Sequence, residues 1–148
     1  MTVIDQLPGL LALITAALFT GAAFYVGFAE QPARLTLDDR AMLAQWKPSY
    51  KRGYVMQATL AIIGAVLGGL AFWRTGDMTW LVGAIAIAAN WPYTLFGIMP
   101  TNKRLDATTD ATGETRALMV HWGALHARRT MLGGVATLAY LIALLKLP

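Results

Sequence analysis

The chain has 148 residues, of which 57% are hydrophobic and only 14% are charged, and its mean hydropathy is +0.52. Soluble domains carry about 25% charged residues, so the composition excludes an ordinary soluble domain and predicts an integral membrane protein. The absence of cysteine excludes disulfides, thiolate metal sites and cysteine nucleophiles. The net charge of +4 does not indicate nucleic-acid binding, because the basic residues lie in loops beside apolar segments.

Four apolar segments are each long enough to cross a bilayer, which takes about 20 helical residues. We predict spans at about residues 7–29, 53–73, 80–99 and 118–145. The predicted fold is therefore all-α: a four-helix transmembrane bundle in a single domain, residues 1–148. The first segment is expected to be a retained span, because the N-terminus lacks the basic region and cleavage pattern of a signal peptide.

The first loop contains the stretch TLDDRAMLAQW, which predicts a short helix lying at the membrane interface. Thr36 is a candidate N-cap, and Asp38 and Asp39 would complement the dipole of the first turn. Trp46 belongs to the apolar side of this helix.

The second and third spans carry two packing signals. Gly64 and Gly68 form a G-x-x-x-G pattern, which permits close helix approach either inside the bundle or in a dimer. In the third span, Pro92 removes one helical hydrogen bond and predicts a bend at about residues 88–92. Asn90 is an amide at bilayer depth, so we expect it to find a partner on another helix or on a ligand.

Basic residues are distributed unequally between the two sides of the predicted bundle. One side carries Arg74 and Lys146, whereas the two long loops on the other side carry eight basic residues: Arg34, Arg40, Lys47, Lys51, Arg52, Lys103, Arg104 and Arg116. The positive-inside rule then places the long loops in the cytoplasm and both termini outside, in the inner (cytoplasmic) membrane of a bacterium.

The fourth span begins with its most polar stretch, HWGALHARRT. Trp122, His126 and Arg129 fall at i, i+4 and i+7, which is one helix face. A charged side chain at the bilayer centre costs roughly 2.5–3.5 kcal/mol on insertion scales, so Arg129 is expected to face the bundle. Arg128 lies roughly 100° round the helix and is expected to face outward. Arg128, like His121, is expected to anchor the helix at the membrane–water interface.

Polar side chains from all four helices are predicted to converge on one layer: Glu30, Arg34, Tyr54, Asn102, His126 and Arg129. We expect Glu30 or Asn102 to hydrogen-bond to His126 or Arg129. The alternative is that His126 and Arg129 are also only interfacial anchors. Residues predicted to contact a ligand are Arg34, Tyr54, Asn90, Thr94 and Trp122.

Three stretches, FYVGFAEQPAR, PYTLFGIMPTNKRL and HWGALHARRT, together resemble the anthrone oxygenase-like family of small four-span membrane proteins. The matching features are the Pro-x-Thr of the third span, the Pro-Thr-Asn that follows it, and Trp122 with the downstream Arg129. Most members of this group are domains of unknown function. The form that carries Glu30, Arg34 and His126 resembles a bacterial branch.

The resemblance implies a monooxygenase that acts on polycyclic aromatic anthrones with O₂ and without a metal or flavin cofactor. A deprotonated, electron-rich phenolic carbanion reacts with O₂ itself, so the protein supplies a base and stabilises an oxyanion. His126 or Glu30 is the candidate base, and Arg129 and Asn102 are the candidate anion stabilisers.

Two other functions are also compatible with the sequence. One is a non-enzymatic integral membrane subunit or assembly factor of a larger complex. The other is a haem or metal protein with His121 or His126 as a ligand, although these residues point about 140° apart on one helix and cannot form a bis-histidine site in one chain. The expected partners are the lipid bilayer, a hydrophobic small molecule, and a second copy or a larger membrane complex, but not nucleic acid.

Overall fold

The computed structural model describes residues 3–146, with side chains from residue 6. The first long helix, α1, consists of Val3–Tyr25, a π-helical segment at Val26–Glu30, and Gln31–Leu35. The second, α2, runs without interruption over Asp39–Thr75.

The third long helix is irregular, and the fourth is regular. Helix α3 consists of Met78–Ala88, Asn90–Pro92, a π-helical segment at Tyr93–Ile98, and Met99–Ala107. Helix α4 is Gly113–Leu145.

All four helices are long and apolar enough to cross a membrane, and residues 3–146 contain no strand. The prediction of an all-α bundle of four transmembrane helices is confirmed, and the chain is an integral membrane protein. The helices have 30 to 37 residues, which is about 45–55 Å at 1.5 Å per residue. They are longer than the predicted spans because the polar segments at one end of the bundle are helical too.

The separate interfacial helix predicted in the first loop is not present. Only residues 36–38 separate α1 from α2, and the predicted segment is the first part of α2. Asp38 caps it by accepting a hydrogen bond from the Ala41 amide at 2.9 Å, whereas the Thr36 hydroxyl donates to the Ala33 carbonyl. The apolar side of the segment, including Trp46, is fully buried in the bundle, so it packs on protein rather than on lipid.

Two hydrophobic clusters fill the bundle, one in each half. The cluster near the α2–α3 turn contains Phe19, Trp80, Ile87, Ala136 and Tyr140, among others. The cluster near the other end is formed by eight buried residues: Met42, Leu43, Trp46, Ile98, Leu105, Met119, Trp122 and Leu125. Along α4, His126 and Arg129 lie between Leu125 of one cluster and Ala136 of the other. The polar residues therefore occupy a layer between two apolar cores.

The G-x-x-x-G pattern packs inside the chain. The Tyr140 hydroxyl donates a hydrogen bond to the Gly64 carbonyl at 2.8 Å. A Cβ atom at Gly68 would lie 2.0 Å from the same hydroxyl oxygen. Both glycines are buried, so they serve close packing of α2 against α4 rather than a dimer contact.

Helix α3 departs from regular α-helix near Pro92, where the sequence predicts a disturbance. Ala89 is not helical, and the π-helical segment begins directly after Pro92. The Asn90 side-chain amide donates to the Ile87 carbonyl at 3.2 Å. The partner expected on another helix is not found among the described residues, because the amide donates to a carbonyl on its own helix and the Asn90 side-chain oxygen has no partner.

A tight turn joins α2 to α3. Gly76 adopts a left-handed conformation with φ of 70° and closes α2 by donating to the Phe72 carbonyl at 2.8 Å. Asp77 caps α3, and the hydrogen bond from the Thr79 amide lowers the pKa of the Asp77 carboxyl. Lys146, at the end of α4, lies 3.7 Å from the same carboxylate.

Candidate functional site

The two histidines and two arginines of HWGALHARRT divide between the inside and the outside of the bundle. His126 and Arg129 are only 4% and 7% exposed, whereas His121 and Arg128 are exposed. Trp122 is buried on the same face as His126 and Arg129. The predicted inward direction of Arg129 and outward direction of Arg128 are confirmed.

The environment of His126 fixes which ring nitrogen carries a proton. Its ring stacks on Trp122 with 5.1 Å between centroids. Its Nε2 atom lies 3.2 Å from the Ala23 carbonyl oxygen on α1. A carbonyl only accepts hydrogen bonds, so Nε2 is the donor, and Nδ1 is the basic nitrogen of the ring in its neutral form.

Arg129 is a buried cation without a counter-ion. Its guanidinium carbon lies over the Phe19 ring, 5.6 Å from the ring centre. Within residues 3–146 no carboxylate lies within ion-pair distance of it and no group accepts a hydrogen bond from it, and its Nε atom is fully buried. Buried charged groups are normally paired, so within these residues Arg129 lacks the partner that a buried cation usually has.

Glu30 belongs to a separate polar cluster that joins α1 to α2. Its carboxylate accepts hydrogen bonds from Arg34 at 2.6 Å, from Gln45 at 3.0 Å and from the Ser49 hydroxyl. Arg34 also donates to Gln31 at 2.6 Å and to the Gln45 side-chain oxygen. Arg34 and Glu30 therefore balance each other's charge.

The expected hydrogen bonds from Glu30 or Asn102 to His126 or Arg129 are absent among the described residues. Glu30 is engaged by Arg34, one helical turn further along α1. The Asn102 side-chain oxygen accepts from Trp122 Nε1 at 2.8 Å. The layer is instead connected through Trp122, which contacts both Asn102 and the His126 ring.

A narrow cavity, here called the polar slot, lies in the layer. All four helices contribute to its wall, which includes Arg34, Tyr54, Asn102, Trp122, His126 and Arg129. The part open to a water-sized sphere is about 30 Å³, which is room for roughly two or three water molecules. Five of the six residues predicted for the layer thus meet in one space: Arg34, Tyr54, Asn102, His126 and Arg129. The sixth, Glu30, is held by Arg34 outside this space.

A second cavity, here called the apolar chamber, lies on the other side of Arg129 and Tyr54, which line both spaces. The part open to a water-sized sphere is about 10 Å³, and its wall is formed mainly by Ala58, Ala61, Trp91 and Leu95. Two of the predicted ligand contacts, Asn90 and Thr94, also line it. The predicted site residues therefore fall into two adjoining cavities rather than one.

Sequence reasoning missed several residues that shape the site. Gln45 and Ser49 hold Glu30, and their spacing of four residues on one helix face could have revealed them. Phe19 and the carbonyl of Ala23 gave no signal, because apolar residues and backbone atoms in a span look alike in sequence.

Among residues 3–146, no group of three histidine, cysteine, aspartate or glutamate side chains is arranged to hold a metal ion. His121 is exposed and His126 is buried, so the two histidines do not converge.

The fold and the site define a class: a small four-helix integral membrane protein whose bundle encloses a polar slot, with a buried histidine and an arginine that has no ion-pair partner among the described residues. The family model described as anthrone oxygenase matches residues 46–139, and the chain belongs to this family. The matched region contains Tyr54, Asn102, His126 and Arg129, whereas the Glu30–Arg34 cluster begins before it. No curated protein and no solved structure is significantly similar to the chain.

Proposed function

We propose that the protein is a cofactor-independent oxygenase that acts on a hydrophobic aromatic substrate, anthrone- or quinone-like, within the membrane. The main observation behind this proposal is that His126 and Arg129 line the same slot inside an apolar bundle. His126 supplies a basic nitrogen, Nδ1, and Arg129 supplies an unpaired cation. Membership of the anthrone oxygenase family supports the reaction class.

The reaction needs no external reductant. The oxidation of a ring CH₂ to a carbonyl supplies four electrons, and O₂ accepts them: R₂CH₂ + O₂ gives R₂C=O + H₂O. A base first removes a proton from the carbon, and the carbanion then transfers its electrons to O₂ and forms a C–O bond. The resulting peroxide anion takes up a proton. Loss of the second C–H proton then breaks the O–O bond, leaving the carbonyl and releasing water.

The residues of the polar slot fit distinct roles in this series of reaction steps. His126 Nδ1 is the proposed base, and its protonated ring returns the proton to the peroxide. Glu30 is a poorer candidate than His126, because three side chains already donate hydrogen bonds to it. Arg129 stabilises the substrate oxyanion. Asn102 assists with its side-chain NH₂, since its oxygen is occupied by Trp122.

Substrate binding requires the slot to open. A three-ring aromatic is larger than the space now available, which holds only a few water molecules. Tyr54 forms part of the wall between the polar slot and the apolar chamber, so rotation of its side chain would join the two. The rings would then lie between Trp122 and Arg34 on one side and Asn90 and Thr94 on the other.

The test is oxygen uptake by the protein, purified in detergent, with a hydroxylated anthrone as substrate. We expect consumption of one O₂ per quinone formed, at a rate unchanged by dialysis against a metal chelator. His126→Asn should lower the rate by about 100-fold or more, the size of a general-base contribution. His121→Asn is the matched control, because it alters the exposed histidine of the same helix and should leave the rate unchanged.

A rate no higher than that of the same anthrone in empty micelles would refute the proposed activity. That result would favour the alternative of a non-enzymatic membrane subunit.

A further inference from the structure

The charges around the polar slot do not sum to zero. Arg34 and Glu30 form an ion pair with N and O atoms 2.6 Å apart. Arg129 adds a second positive charge with no carboxylate near it in the described chain. The site therefore carries one uncompensated positive charge inside a bundle surrounded by apolar side chains.

The ionisable side chains that face the slot do not remove this charge. Arg34 comes from α1, Tyr50 and Tyr54 come from α2, and His126 and Arg129 come from α4. Helix α3 contributes uncharged residues, including Asn102. None of these side chains is a carboxylate, so none is a counter-ion for Arg129.

We infer that the polar slot binds its ligand as a monoanion, with Arg129 as the counter-ion. This inference deepens the proposed function and rests on it for the location of the ligand. A buried, unpaired guanidinium is costly to keep in a membrane protein. A ligand anion that enters the slot removes this cost and gains a charge-assisted hydrogen bond.

The geometry of Arg129 also restricts the shape of the anion. The guanidinium lies over the Phe19 ring, and its N–H groups donate in its own plane, so a ligand oxygen binds along the planar edge. The nitrogen atoms on such an edge donate to the two oxygens of a carboxylate or to a single phenolate or enolate oxygen. The fitting ligand is therefore a flat aromatic molecule with a carboxylate, phenolate or enolate oxygen at its rim.

Neutral and anionic ligands with the same ring system test the inference directly. The probes are 2-naphthoate and its neutral counterpart 2-naphthamide, bound to the protein in nanodiscs of zwitterionic lipid, with empty nanodiscs as the blank for partitioning. We expect the wild-type protein to bind the naphthoate at least about tenfold more tightly, since a hydrogen bond to a charged group contributes about 1.5–3 kcal/mol and 1.4 kcal/mol is tenfold in affinity.

Two neighbouring arginines provide the matched variants. Arg129→Gln should abolish the preference for the anion, and Arg128→Gln, which removes an exposed charge one residue away, should retain it. Arg129→Lys keeps the charge but loses the planar edge, so an intermediate preference is expected. Equal affinities in the wild-type protein would overturn the inference, and this result does not depend on whether Arg129→Gln folds. The same loss of preference in Arg129→Gln and Arg128→Gln would also overturn it.

The outcome is separable from that of the oxygen-uptake experiment. Anion preference without oxygen uptake would retain the anion site and remove the proposed reaction. Oxygen uptake without anion preference would retain the reaction and remove Arg129 as the counter-ion.

Discussion

The structural role of Arg34 and Glu30 depends on the side chains that surround them. The Arg34 side chain is 1% exposed, and the Glu30 side chain is 19% exposed. Burial of Arg34 is tolerated because Glu30 and the side-chain oxygens of Gln31 and Gln45 accept its hydrogen bonds. The cluster fixes the end of α1 against α2 and thereby holds Arg34 at the edge of the polar slot.

Glu30→Gln should therefore lower stability. Removing one partner of a buried ion pair costs about 3–5 kcal/mol, and the effect should lie at the low end because glutamine still offers one acceptor oxygen. The measurement is thermal unfolding of the protein in detergent. Glu114→Gln, at an exposed acid, is the control and should leave the melting temperature unchanged, and an equal effect of both variants would contradict the structural role of Glu30.

At the scale of the helices, Tyr140 of α4 determines how closely α2 and α3 approach. Its ring fills the space that side chains at Gly68 and Gly83 would occupy, with Cβ distances of 2.0 and 2.4 Å to its atoms. The same residue donates to the Gly64 carbonyl. This packing sets the rotation of α4 and so directs His126 and Arg129 toward the slot.

Neighbouring glycines of α2 test this packing. Gly68→Ala should lower the free energy of unfolding by about 1–3 kcal/mol, because the added methyl group overpacks the Tyr140 contact. Gly69→Ala should be neutral or slightly stabilising, by less than about 1 kcal/mol, because no atom lies within 4 Å of a Cβ there. Chemical denaturation in mixed micelles, followed by circular dichroism, compares the two. Equal effects would show that the Tyr140 contact does not determine the packing.

For the whole molecule, charge and apolar length together suggest an orientation in the membrane. The α1–α2 turn and the α3–α4 loop, residues 108–112, lie at the end of the bundle that carries most of the arginines and lysines. Arg129 lies 145 − 129 = 16 residues before the end of α4, or about 24 Å along the helix. It therefore falls inside a hydrocarbon core of about 30 Å, near the side of the basic residues.

We predict that the basic end is cytoplasmic and that both termini lie outside, in a bacterial inner membrane. A phosphatase that folds only outside the cytoplasm should be active when fused after Pro148. The same enzyme inserted at Asp110, in the α3–α4 loop, should be inactive. A fluorescent protein that matures only in the cytoplasm should give the opposite pattern, and fluorescence from the C-terminal fusion would reverse the orientation.

The amino-acid sequence alone was enough to predict the four helices and the inward face of α4. Apolar length and the 3.6-residue helical repeat are local properties, so Trp122, His126 and Arg129 could be placed on one face without knowledge of any neighbour. The partners of these residues, in contrast, depend on how the helices pack together. Whether Glu30 reaches Arg34 or Arg129 depends on the rotation and offset of one helix against another, and these are set by side-chain packing across helix interfaces. The same packing buried the apolar side of the predicted interfacial helix, which became the first part of α2. It also left Arg129 beside His126 without a carboxylate near it in the described chain. Both results depend on the neighbouring helices, so neither could be predicted from one segment alone.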